Sequence, residues 1–546
     1  MYTNKTDVTY DLCVIGAGPL GIIVTLEYAR LNPCKKLLLV EFGEGPKEAD
    51  NILDKTITLE NTINHHPPNE CTNKGFGGTS ATWGGRCVMY DEVDFIDRPV
   101  LNNGCTWDSG LFKELQQYLP VAADYFECGE PEFDVNNIAE FENTHIAEGF
   151  LGGDITDNRL ERWSLPTRFG KRYFKQMEGL PNVTLIQGYQ AVSFCEPDTN
   201  GMVEELIVRR IQNGETTLIK SNNFVLAAGT QETTRILLKN KQLFNNLPTP
   251  PASLGKYYQG HISGKIASVK FNGDPKKTEY GFLKDKNGIY LRRRIQFSSD
   301  FLVKNNLLNA AIWLDNPLYH TPSHRNGAMS FMYLAMITPF IGKRLAPPAI
   351  AHSITKGKVN GIWQHFFNII KDFPFSIFTP AKIFYRRYFL KRKLPGVFLY
   401  NPQNRYALHF HAEQVPQENN NMEISSDGVT LQITYSIGDE DVNSVILLHE
   451  ALDKSLRANG CGQVEYWYKK EDLAKAIKQM SRDGLHQSGT TRIANSPAEG
   501  VVDRNLLLFG TKNIYVCSCS IFPTSGQANP TFFAGAFAAR LAKHLN

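Results

Sequence analysis

Apolar positions near the N-terminus form two short runs separated by a helical pattern. A β-prone run extends from Tyr10 to Ile15, and apolar residues then repeat with helical spacing through Tyr28 and Ala29. A second buried run, KKLLLVE, ends at Glu41. A strand, a helix and a second strand in this order predict a βαβ unit with parallel strands.

The middle of the chain alternates strand-like runs with polar turns. Between Gly255 and Met336 these runs are GKIASVKF, GIYLRRRIQF, LNAAIWL and AMSFMYLAM, and another begins at Arg405. This pattern predicts a large antiparallel sheet. The polar and aromatic stretch from Ile155 to Gly170 predicts mainly loops instead.

Four further segments have recognisable patterns. Residues 107–126 predict a helical pair interrupted by Pro120, and residues 181–194 predict a strand. Residues 222–240 predict a strand, an Ala-Ala-Gly-Thr turn and a helix. The run NIYVCSCSIF at 513–522 predicts a buried strand ahead of an Ala-rich amphipathic helix.

Composition narrows the class of protein. The 546 residues are 42% apolar and 21% charged, which indicates a globular protein with two large domains rather than a disordered or fibrous chain. A net charge of +3 gives no overall case for nucleic-acid binding. The ten cysteines form no CxxC pair or disulfide framework, and the N-terminal residues lack the layout of a signal peptide. We therefore expect a cytoplasmic protein with reduced thiols.

A glycine motif lies inside the predicted βαβ unit. Gly16, Gly18 and Gly21 form GxGxxG between strand and helix, and Glu41 follows twenty residues after the last glycine. Such glycines let the backbone approach a pyrophosphate at a helix N-terminus, and the acid can accept hydrogen bonds from a ribose. The motif predicts a dinucleotide site, but it does not separate FAD from NAD.

A second glycine-rich stretch, KGFGGTSATWGGRC, begins at Lys74. It places five glycines in eleven residues around Trp83, a density that excludes an ordinary helix or strand. A flexible surface loop is one interpretation. The embedded Trp83 favours a packed loop whose backbone lies close to a bound group.

Two residues near the C-terminus are candidates for chemistry. His486 precedes a Ser-Gly-Thr-Thr turn, and Asn529 lies in Gly-Gln-Ala-Asn-Pro-Thr before the last predicted helix. A histidine on a loop can act as a general base near neutral pH, and an asparagine amide can hold a substrate oxygen. A structural imidazole is the alternative for His486.

The region from Gly484 to Ala542 resembles the C-terminal signature of the glucose-methanol-choline (GMC) oxidoreductases, flavoenzymes that oxidise alcohols. The shared order is His, Gly-Thr, Val-Val-Asp, Gly, Asn-Ile-Tyr-Val, Phe-Pro-Thr and Asn-Pro-Thr. Asn529 at the second catalytic position resembles the pyranose-oxidase or sugar-dehydrogenase-like branch. The resemblance implies an α/β fold with a Rossmann-like FAD-binding domain and an α+β substrate domain on a large antiparallel sheet.

The resemblance also implies a discontinuous domain organisation. The FAD-binding domain would comprise residues 1–95, 181–255 and 484–546. The substrate-binding domain would comprise residues 96–180 and 256–483, with an insertion at 341–395.

Roles for individual residues follow from the same resemblance. His486 would take the hydroxyl proton of an alcohol while a hydride leaves to flavin N5, and Asn529 would hydrogen-bond the same oxygen. Thr82 stands where the pyranose-oxidase branch has a flavin-linked histidine, so we expect non-covalent FAD. Ser518 stands where many family members have an aspartate. The implied cofactor-binding residues are Gly16, Gly18, Gly21, Glu41, Gly78, Thr79, Ser80, Trp83, Gly84, Val192, Ala228, Gly229, Ser518, Asn529, Pro530 and Thr531.

Three polar residues would share one face of the strand that begins at Arg405. His409, His411 and Glu413 alternate along it, which permits pocket lining, a metal site or ordinary sheet positions. No further ligand is placed by the sequence, so no metal site is predicted. The neighbouring pair His65 and His66 predicts loop residues.

The insertion at 341–395 differs in composition from the rest of the chain. It has eleven Lys or Arg against a single acid, Asp372, and aromatic residues are interleaved throughout. No apolar run reaches the roughly 18–20 residues that span a bilayer, so the composition predicts contact with an anionic membrane surface. A basic cap over the site and an oligomer contact are alternatives. RNA binding is disfavoured because the aromatics are predicted to be helical and partly buried.

The function predicted is FAD-dependent oxidation of a CH–OH group in a sugar, polyol or other alcohol. The alternatives are a GMC-type lyase, a non-catalytic flavin-binding protein, or a membrane-docked dehydrogenase of a lipophilic alcohol that passes electrons to a quinone. The predicted partners are the alcohol and, through 341–395, a membrane surface or quinone, without nucleic acid. Oligomerisation stays open. The expected location is cytoplasmic, with peripheral attachment to the inner face of the membrane as an extension.

Overall fold

A computed structural model describes residues 4–44, 54–102, 104–141, 144–316, 319–338, 340–342 and 360–546. The described strands are β1 (Asn4–Tyr10), β2 (Leu12–Ile15), β3 (Leu37–Glu41), β4 (Ile57–Leu59), β5 (Arg86–Cys87), β6 (Ile155–Trp163), β7 (Val183–Gln187), β8 (Tyr189–Phe194), β9 (Glu205–Arg210), β10 (Thr216–Ser221), β11 (Phe224–Leu226), β12 (Ile262–Phe271), β13 (Leu283–Lys284), β14 (Tyr290–Phe297), β15 (Ala310–Asp315), β16 (Arg405–Ala412), β17 (Asn421–Ile424), β18 (Leu431–Thr434), β19 (Gly462–Tyr466) and β20 (Ile514–Val516). The described α-helices are α1 (Pro19–Leu31), α2 (Pro68–Cys71), α3 (Leu111–Leu115), α4 (Leu119–Phe126), α5 (Phe169–Glu178), α6 (Gly229–Lys239), α7 (Ser299–Asn305), α8 (Gly327–Ile337), α9 (Ile362–Lys371), α10 (Phe375–Tyr388), α11 (Asp439–Ala458), α12 (Leu473–Met480) and α13 (Pro530–His544).

A five-stranded parallel sheet organises the part of the fold that carries the GxGxxG motif. Its order is β20-β11-β2-β3-β7, with Val14 opposite both Val225 and Leu39. All four residues of β2 are buried, and helices α1 and α13 pack against each other beside the sheet. The predicted βαβ unit is present, and it is completed by β20 from the C-terminal region.

A larger, antiparallel sheet forms the second layer. Its order is β19-β12-β16-β15-β14-β6-β5, with β13 paired to β14. Helix α11 packs its apolar residues, including Leu448 and Leu452, into the core that this sheet shares. The predicted large antiparallel sheet is therefore confirmed. Two smaller sheets, β1-β10-β9-β8 and β17-β18-β4, flank these layers.

Two segments differ from the prediction in this region. Residues 155–170, expected to be loops, contain the nine-residue strand β6. Several of its charged residues are buried in ion pairs, such as Glu161 with Arg292, so apolar patterning could not reveal the strand. The run AMSFMYLAM, expected to be a strand, is helix α8. Its Ala, Met and Leu content favours a helix, and Asn326 caps the first turn by accepting the Met329 amide at 2.9 Å.

The run NIYVCSCSIF is only partly a strand. Strand β20 ends at Val516, and the chain turns at Ser518, whose hydroxyl accepts the Ser520 amide at 3.1 Å. A serine side chain that caps a turn competes with strand pairing.

Two helices of the insertion, α9 and α10, pack on α8. The sequence predicts partly buried aromatics here, but most of them are exposed, up to 85% for Trp363 and 73% for Phe375. The basic positions 343, 344, 356 and 358 lie outside the described residues. None of the described helices combines the length and apolar content needed to cross a bilayer.

Candidate active site

The turn after β2 has room only for glycine at two positions. At Gly16, with φ of 100°, a Cβ would lie 2.6 Å from the Ala227 carbonyl oxygen. At Gly21 a Cβ would lie 1.9 Å from the Gly16 carbonyl oxygen. At Gly18, which precedes α1, a Cβ would meet no atom within 4 Å. The backbone thus leaves the N-terminus of α1 approachable, as a pyrophosphate requires.

The glycine-rich loop is packed against this turn. The Gly77 amide donates to the Ala17 carbonyl at 2.7 Å, and a Cβ on Gly78 would lie 3.1 Å from the Gly18 Cα. The Ser80 hydroxyl donates to the Gly77 carbonyl at 2.6 Å. The predicted packed loop is present, and it brings Gly78, Thr79 and Ser80 to the glycine turn.

The side of the loop around Trp83 is anchored to a different element. The Trp83 indole donates to the Thr167 carbonyl at 3.1 Å, and its ring packs on Phe126 and Phe169. Thr79, Thr82 and Gly84 are exposed around this anchored ring.

Glu41 is tied into the backbone of both glycine segments. Its carboxylate accepts amides from Ala17 at 2.8 Å, Gly43 at 2.9 Å and Gly75 at 3.0 Å. Burial raises the pKa of Glu41, and these amides act in the opposite direction. Glu41 thus joins β3 to the turn and the loop. A contact with a ribose stays a prediction.

The second predicted turn lies beside the first. The Ala227 amide donates to the Ile15 carbonyl at 2.8 Å, and Gly229, with φ of 74°, starts α6. Ala228 consequently adjoins Gly16. Val192 lies outside these turns on β8, where its carbonyl accepts the Asn240 side-chain amide at 3.3 Å.

The glycine segments fit a dinucleotide such as FAD. A Cβ at Gly16 or Gly21 would clash with the backbone. A Cβ at Gly18 or Gly84 would have no protein atom within 4 Å. Gly18, Gly78 and Ala228 would hold the phosphates and adenosine, because backbone amides at a helix N-terminus suit anions. The Ser518 hydroxyl, by contrast, is engaged with Ser520 at 2.7 Å.

His486 and Asn529 are brought together as the sequence predicts. The Asn529 side-chain amide donates to His486 Nε2 at 2.5 Å. Pro530 occupies the first turn of α13, which fixes the backbone immediately after Asn529 and places Thr531 in the same turn. The buried Asn529 Oδ1 has no hydrogen-bond partner among the described residues.

Asp483, which was not among the residues predicted from the sequence, orients this histidine. Asp483 Oδ2 lies 3.2 Å from His486 Nδ1, so Nδ1 carries the proton and Nε2 is the acceptor. The carboxylate also accepts backbone amides of Gly484, Leu485 and, at 2.6 Å, His261. Burial would raise the pKa of Asp483, but the charges and hydrogen bonds of the imidazoles of His486 and His261 lower it well below its ordinary value.

Two further imidazoles surround His486. His261 and His411 stack with centroids 4.2 Å apart, and each meets His486 edge-on, at 5.0 and 5.3 Å. Burial lowers the pKa of His261 and lowers that of His411 well below its ordinary value. Both rings are therefore neutral at pH 7. His261 lies near the start of the predicted segment 256–483, and no sequence motif around it indicated a functional role.

Ring nitrogens of His261, His411 and His486 lie within 4.8 Å of one another, a spacing compatible with a metal site. In-plane lone pairs of two stacked rings, however, run nearly parallel rather than converging on one ion. Both nitrogens of His486 already face Asp483 and Asn529. The arrangement suits proton transfer better than metal binding.

His409 and Glu413 do not join this cluster. His409 stacks on Trp313 with centroids 4.4 Å apart, and Glu413 is buried in an ion pair with Arg98 at 2.8 Å. Of the three alternating residues singled out on this strand, only His411 lines the site. His65, in a loop as predicted, is buried with Nε2 2.7 Å from the Tyr258 hydroxyl.

Comparisons with known proteins agree with this geometry. Residues 416–538 match the family model of the GMC oxidoreductase C-terminal domain. No curated protein sequence matches the chain.

Solved structures share its fold over nearly the whole length. A fungal aryl-alcohol oxidase is 14% identical, with a TM-score of 0.51 and coverage of 98% of each chain. Pyridoxine 4-oxidase from Mesorbium loti is 14% identical, with a TM-score of 0.50 and coverage of 98% of this chain and 99% of that one. A formate oxidase of Aspergillus oryzae is 13% identical, with a TM-score of 0.50 and coverage of 100% and 98%. The chain therefore has the fold of these structures, and its residues 416–538 are similar to the C-terminal domain of the GMC oxidoreductases.

Proposed function

We propose that the chain is a FAD-dependent oxidoreductase of GMC type that acts on the CH–OH group of a sugar, polyol or other alcohol, with His486 as the general base. The observation that carries the proposal is the pair of contacts at His486, with Asp483 at Nδ1 and Asn529 at Nε2. A protonated Nδ1 leaves Nε2 as the atom that accepts the hydroxyl proton.

The neighbouring side chains have separate tasks in this mechanism. Asp483 stabilises the imidazolium that forms when His486 gains the proton, because its carboxylate is buried and fixed by three backbone amides of residues 484–486. Asn529 can turn its amide donor from His486 to the substrate oxygen and so orient the carbon–hydrogen bond. FAD, when bound, supplies the acceptor for the hydride that leaves this carbon.

We further propose that FAD is held without a covalent bond. Thr82, at the position where the resembling branch has a linked histidine, offers only a hydroxyl, and Asn73 donates to that hydroxyl at 2.8 Å.

The test is an anaerobic absorbance titration of the flavoprotein with a panel of sugars, polyols and long-chain alcohols. Bleaching of the flavin band by one class is the expected result. His486→Ala should retain flavin and slow its reduction by at least about a hundredfold, as expected for a lost general base. His145→Ala is the matched control, because His145 is half-exposed and pairs with Asp157 in another part of the sheet.

The other outcomes separate the alternatives. A flavin band that no alcohol bleaches would favour a lyase or a non-catalytic flavoprotein. Normal reduction in His486→Ala would remove this residue from the mechanism.

We also propose that the insertion docks the enzyme on an anionic membrane surface. Helix α9 is inverted: its polar His365 and Asn368 are buried against α8, while Trp363 and Ile370 are 85% and 73% exposed. The Asn368 side chain donates to the Pro322 carbonyl at 2.9 Å and to the Ser330 hydroxyl at 3.1 Å. These bonds fix the apolar face outward.

The charges around this face favour lipid as its occupant. The described residues 360–395 contain one acid, Asp372, which accepts the Gly327 amide inside the fold at 2.6 Å. The cations are Lys371, Lys382, Arg386, Arg387, Lys391, Arg392 and Lys393. Aromatic side chains beside cations suit an interface with anionic headgroups, where each cation contributes about 1 kcal/mol. A lipophilic alcohol or a quinone acceptor would be accessible from such a surface.

A further inference from the structure

Three arginines lie on the sheet face that carries His411. Arg292 and Arg294 alternate on β14, so both side chains point to the same face, and Arg86 approaches from β5. The guanidinium carbons of Arg86 and Arg292 lie 4.4 and 4.5 Å from the Trp313 ring centroid. Trp313 thus holds both cations against the floor of the sheet.

One carboxylate serves two of these cations. Glu161, fully buried on β6, accepts hydrogen bonds from Nε of both Arg86 and Arg292. A single negative charge between two guanidiniums leaves the group with excess positive charge. Burial lowers the pKa of Arg86 to about 9, and the charge of Glu161 only partly opposes this.

Arg294 has less compensation. It is 1% exposed, and one of its nitrogens, Nη2, donates to the side-chain oxygen of Gln527. Its Nε and Nη1, like Nη2 of Arg86, are buried without an acceptor among the described residues. Burial also lowers the pKa of Arg294, and the charges of Glu161 and Asp91 act in the opposite direction. Buried donors of a cation that lack acceptors are costly, and a bound anion would satisfy them.

The arginines adjoin the proposed catalytic groups. Gln527, the partner of Arg294, is two residues from Asn529. The ring centroids of Trp313 and His411 lie 6.3 Å apart, and those of His411 and His486 lie 5.3 Å apart. A small molecule with its hydroxyl at His486 could therefore extend an acidic group along this face toward Arg294 and Arg86.

We propose that these arginines form an oxyanion subsite, and that the enzyme's substrate is an alcohol bearing a carboxylate or a phosphate. This rests on the proposed alcohol oxidation, for which it names the substrate class. Guanidinium groups with free N–H donors recognise either oxyanion through charge-assisted hydrogen bonds. The neutral imidazoles of His261 and His411 leave the arginines as the cations that select the acid.

The test compares glucose, gluconate and glucose 6-phosphate on the flavoprotein. Calorimetric titration measures binding, and anaerobic flavin bleaching measures oxidation of the same ligands. The expected result is that at least one acid binds at least about tenfold more tightly than glucose, with the two acids reporting which oxyanion fits. Equal binding of all three, or tighter binding of glucose, would overturn the proposal.

Variants then assign the effect to the subsite. Arg294→Gln should raise KM for the acid at least about tenfold with a smaller change in kcat, and Arg294→Lys should restore part of the affinity. Arg159→Gln is the matched control: Arg159 lies opposite Arg294 on β6, but its side chain is half-exposed toward Asp134. Equal losses with acidic and neutral ligands would show that Arg294 acts on the fold or the flavin instead.

The experiments distinguish a failure of the oxyanion subsite from a failure of the proposed alcohol oxidation. Selective acid binding without bleaching would retain the subsite and reject the oxidation. Bleaching by neutral polyols without preference for acids would retain the oxidation and reject the subsite.

Discussion

Asp483 holds three successive backbone amides with one oxygen and the imidazole of His486 with the other. The carboxylate therefore fixes both the position of His486 and the nitrogen that carries its proton. One side chain thus has a conformational role and an electrostatic role. A variant that keeps the shape but removes the charge can separate the two roles.

Asp483→Asn should keep the flavin bound but slow its reduction by at least about tenfold, because the imidazolium loses its buried counter-ion. Stopped-flow measurement of anaerobic flavin reduction by the substrate gives this rate.

The control for this variant is Asp439→Asn, an exposed carboxylate paired with Lys478. A rate of flavin reduction in Asp483→Asn equal to that of the wild type would restrict Asp483 to a structural role.

Residues carried by a motif could be predicted, whereas their supporting partners could not. His486 and Asn529 stand in a recognisable C-terminal order, and the structure brings them to hydrogen-bonding distance. Asp483 lies immediately before that order, and His261 reaches the site only because β12 starts beside it. Long-range pairing creates such contacts, and a linear pattern does not encode them.

At the scale of elements, α9 combines a polar buried face with an apolar exposed one. The prediction that this segment is helical is correct, but the predicted partial burial of its aromatic residues is wrong. A helical period does not reveal which face of the helix packs against the protein. Strand β6 and helix α8 were missed for related reasons. Ion pairs replace apolar residues in the first, and a uniformly apolar run carries no period in the second.

The inverted helix predicts vesicle binding. The flavoprotein should sediment with vesicles of mixed phosphatidylcholine and phosphatidylserine, and with phosphatidylcholine vesicles much less, because the cations near α9 and α10 favour anionic headgroups. Replacing the exposed Trp363, Phe367 and Phe378 together with serine should weaken this binding at least about tenfold, since burial of these aromatic side chains in the interface also contributes to the binding free energy.

The matched control replaces the exposed Ile63 and Leu151, which lie in other parts of the chain, with serine. Vesicle binding that survives in the triple variant would place the lipid contact elsewhere. Concentration-dependent dimers of the wild type, lost in the triple variant and unaffected by vesicles, would assign the face to a second copy.

At the scale of the whole molecule, the turn at Gly16, the turn at Ala228 and Gly229 and strand β20 from the C-terminal region come together at the parallel sheet. The large antiparallel sheet and the parallel nucleotide sheet followed from apolar patterns and from the family resemblance. The domain boundaries at 95, 180, 255 and 483 stay a prediction. The three sheet arginines, and the Glu161 that Arg86 and Arg292 share, were not predicted, because charged residues in strands are usually solvated.

A cofactor held only by the folded chain must leave when the chain unfolds. Acid precipitation should therefore release free FAD into the supernatant, and adding FAD to the apoprotein should raise its Tm. At a hundredfold excess over Kd the stabilisation is about 2.7 kcal/mol. Absorbance of the supernatant and a thermal melt measure these effects.

Flavin that stays with the precipitated chain would contradict the proposal that FAD is bound without a covalent bond. Thr82→Ala should release FAD as the wild type does, which excludes a link through this hydroxyl.

Strand β20 and helix α13 complete the nucleotide sheet, yet they are encoded more than 400 residues after β2 and β3. On a ribosome that adds about 5–20 residues per second, the first βαβ unit waits roughly 20–90 s for these partners. During that interval the apolar edge of β11 and the face of α1 lack their cover. We therefore expect the complete cofactor site to form only after synthesis of the C-terminal region, and the incomplete sheet exposes apolar surface until then.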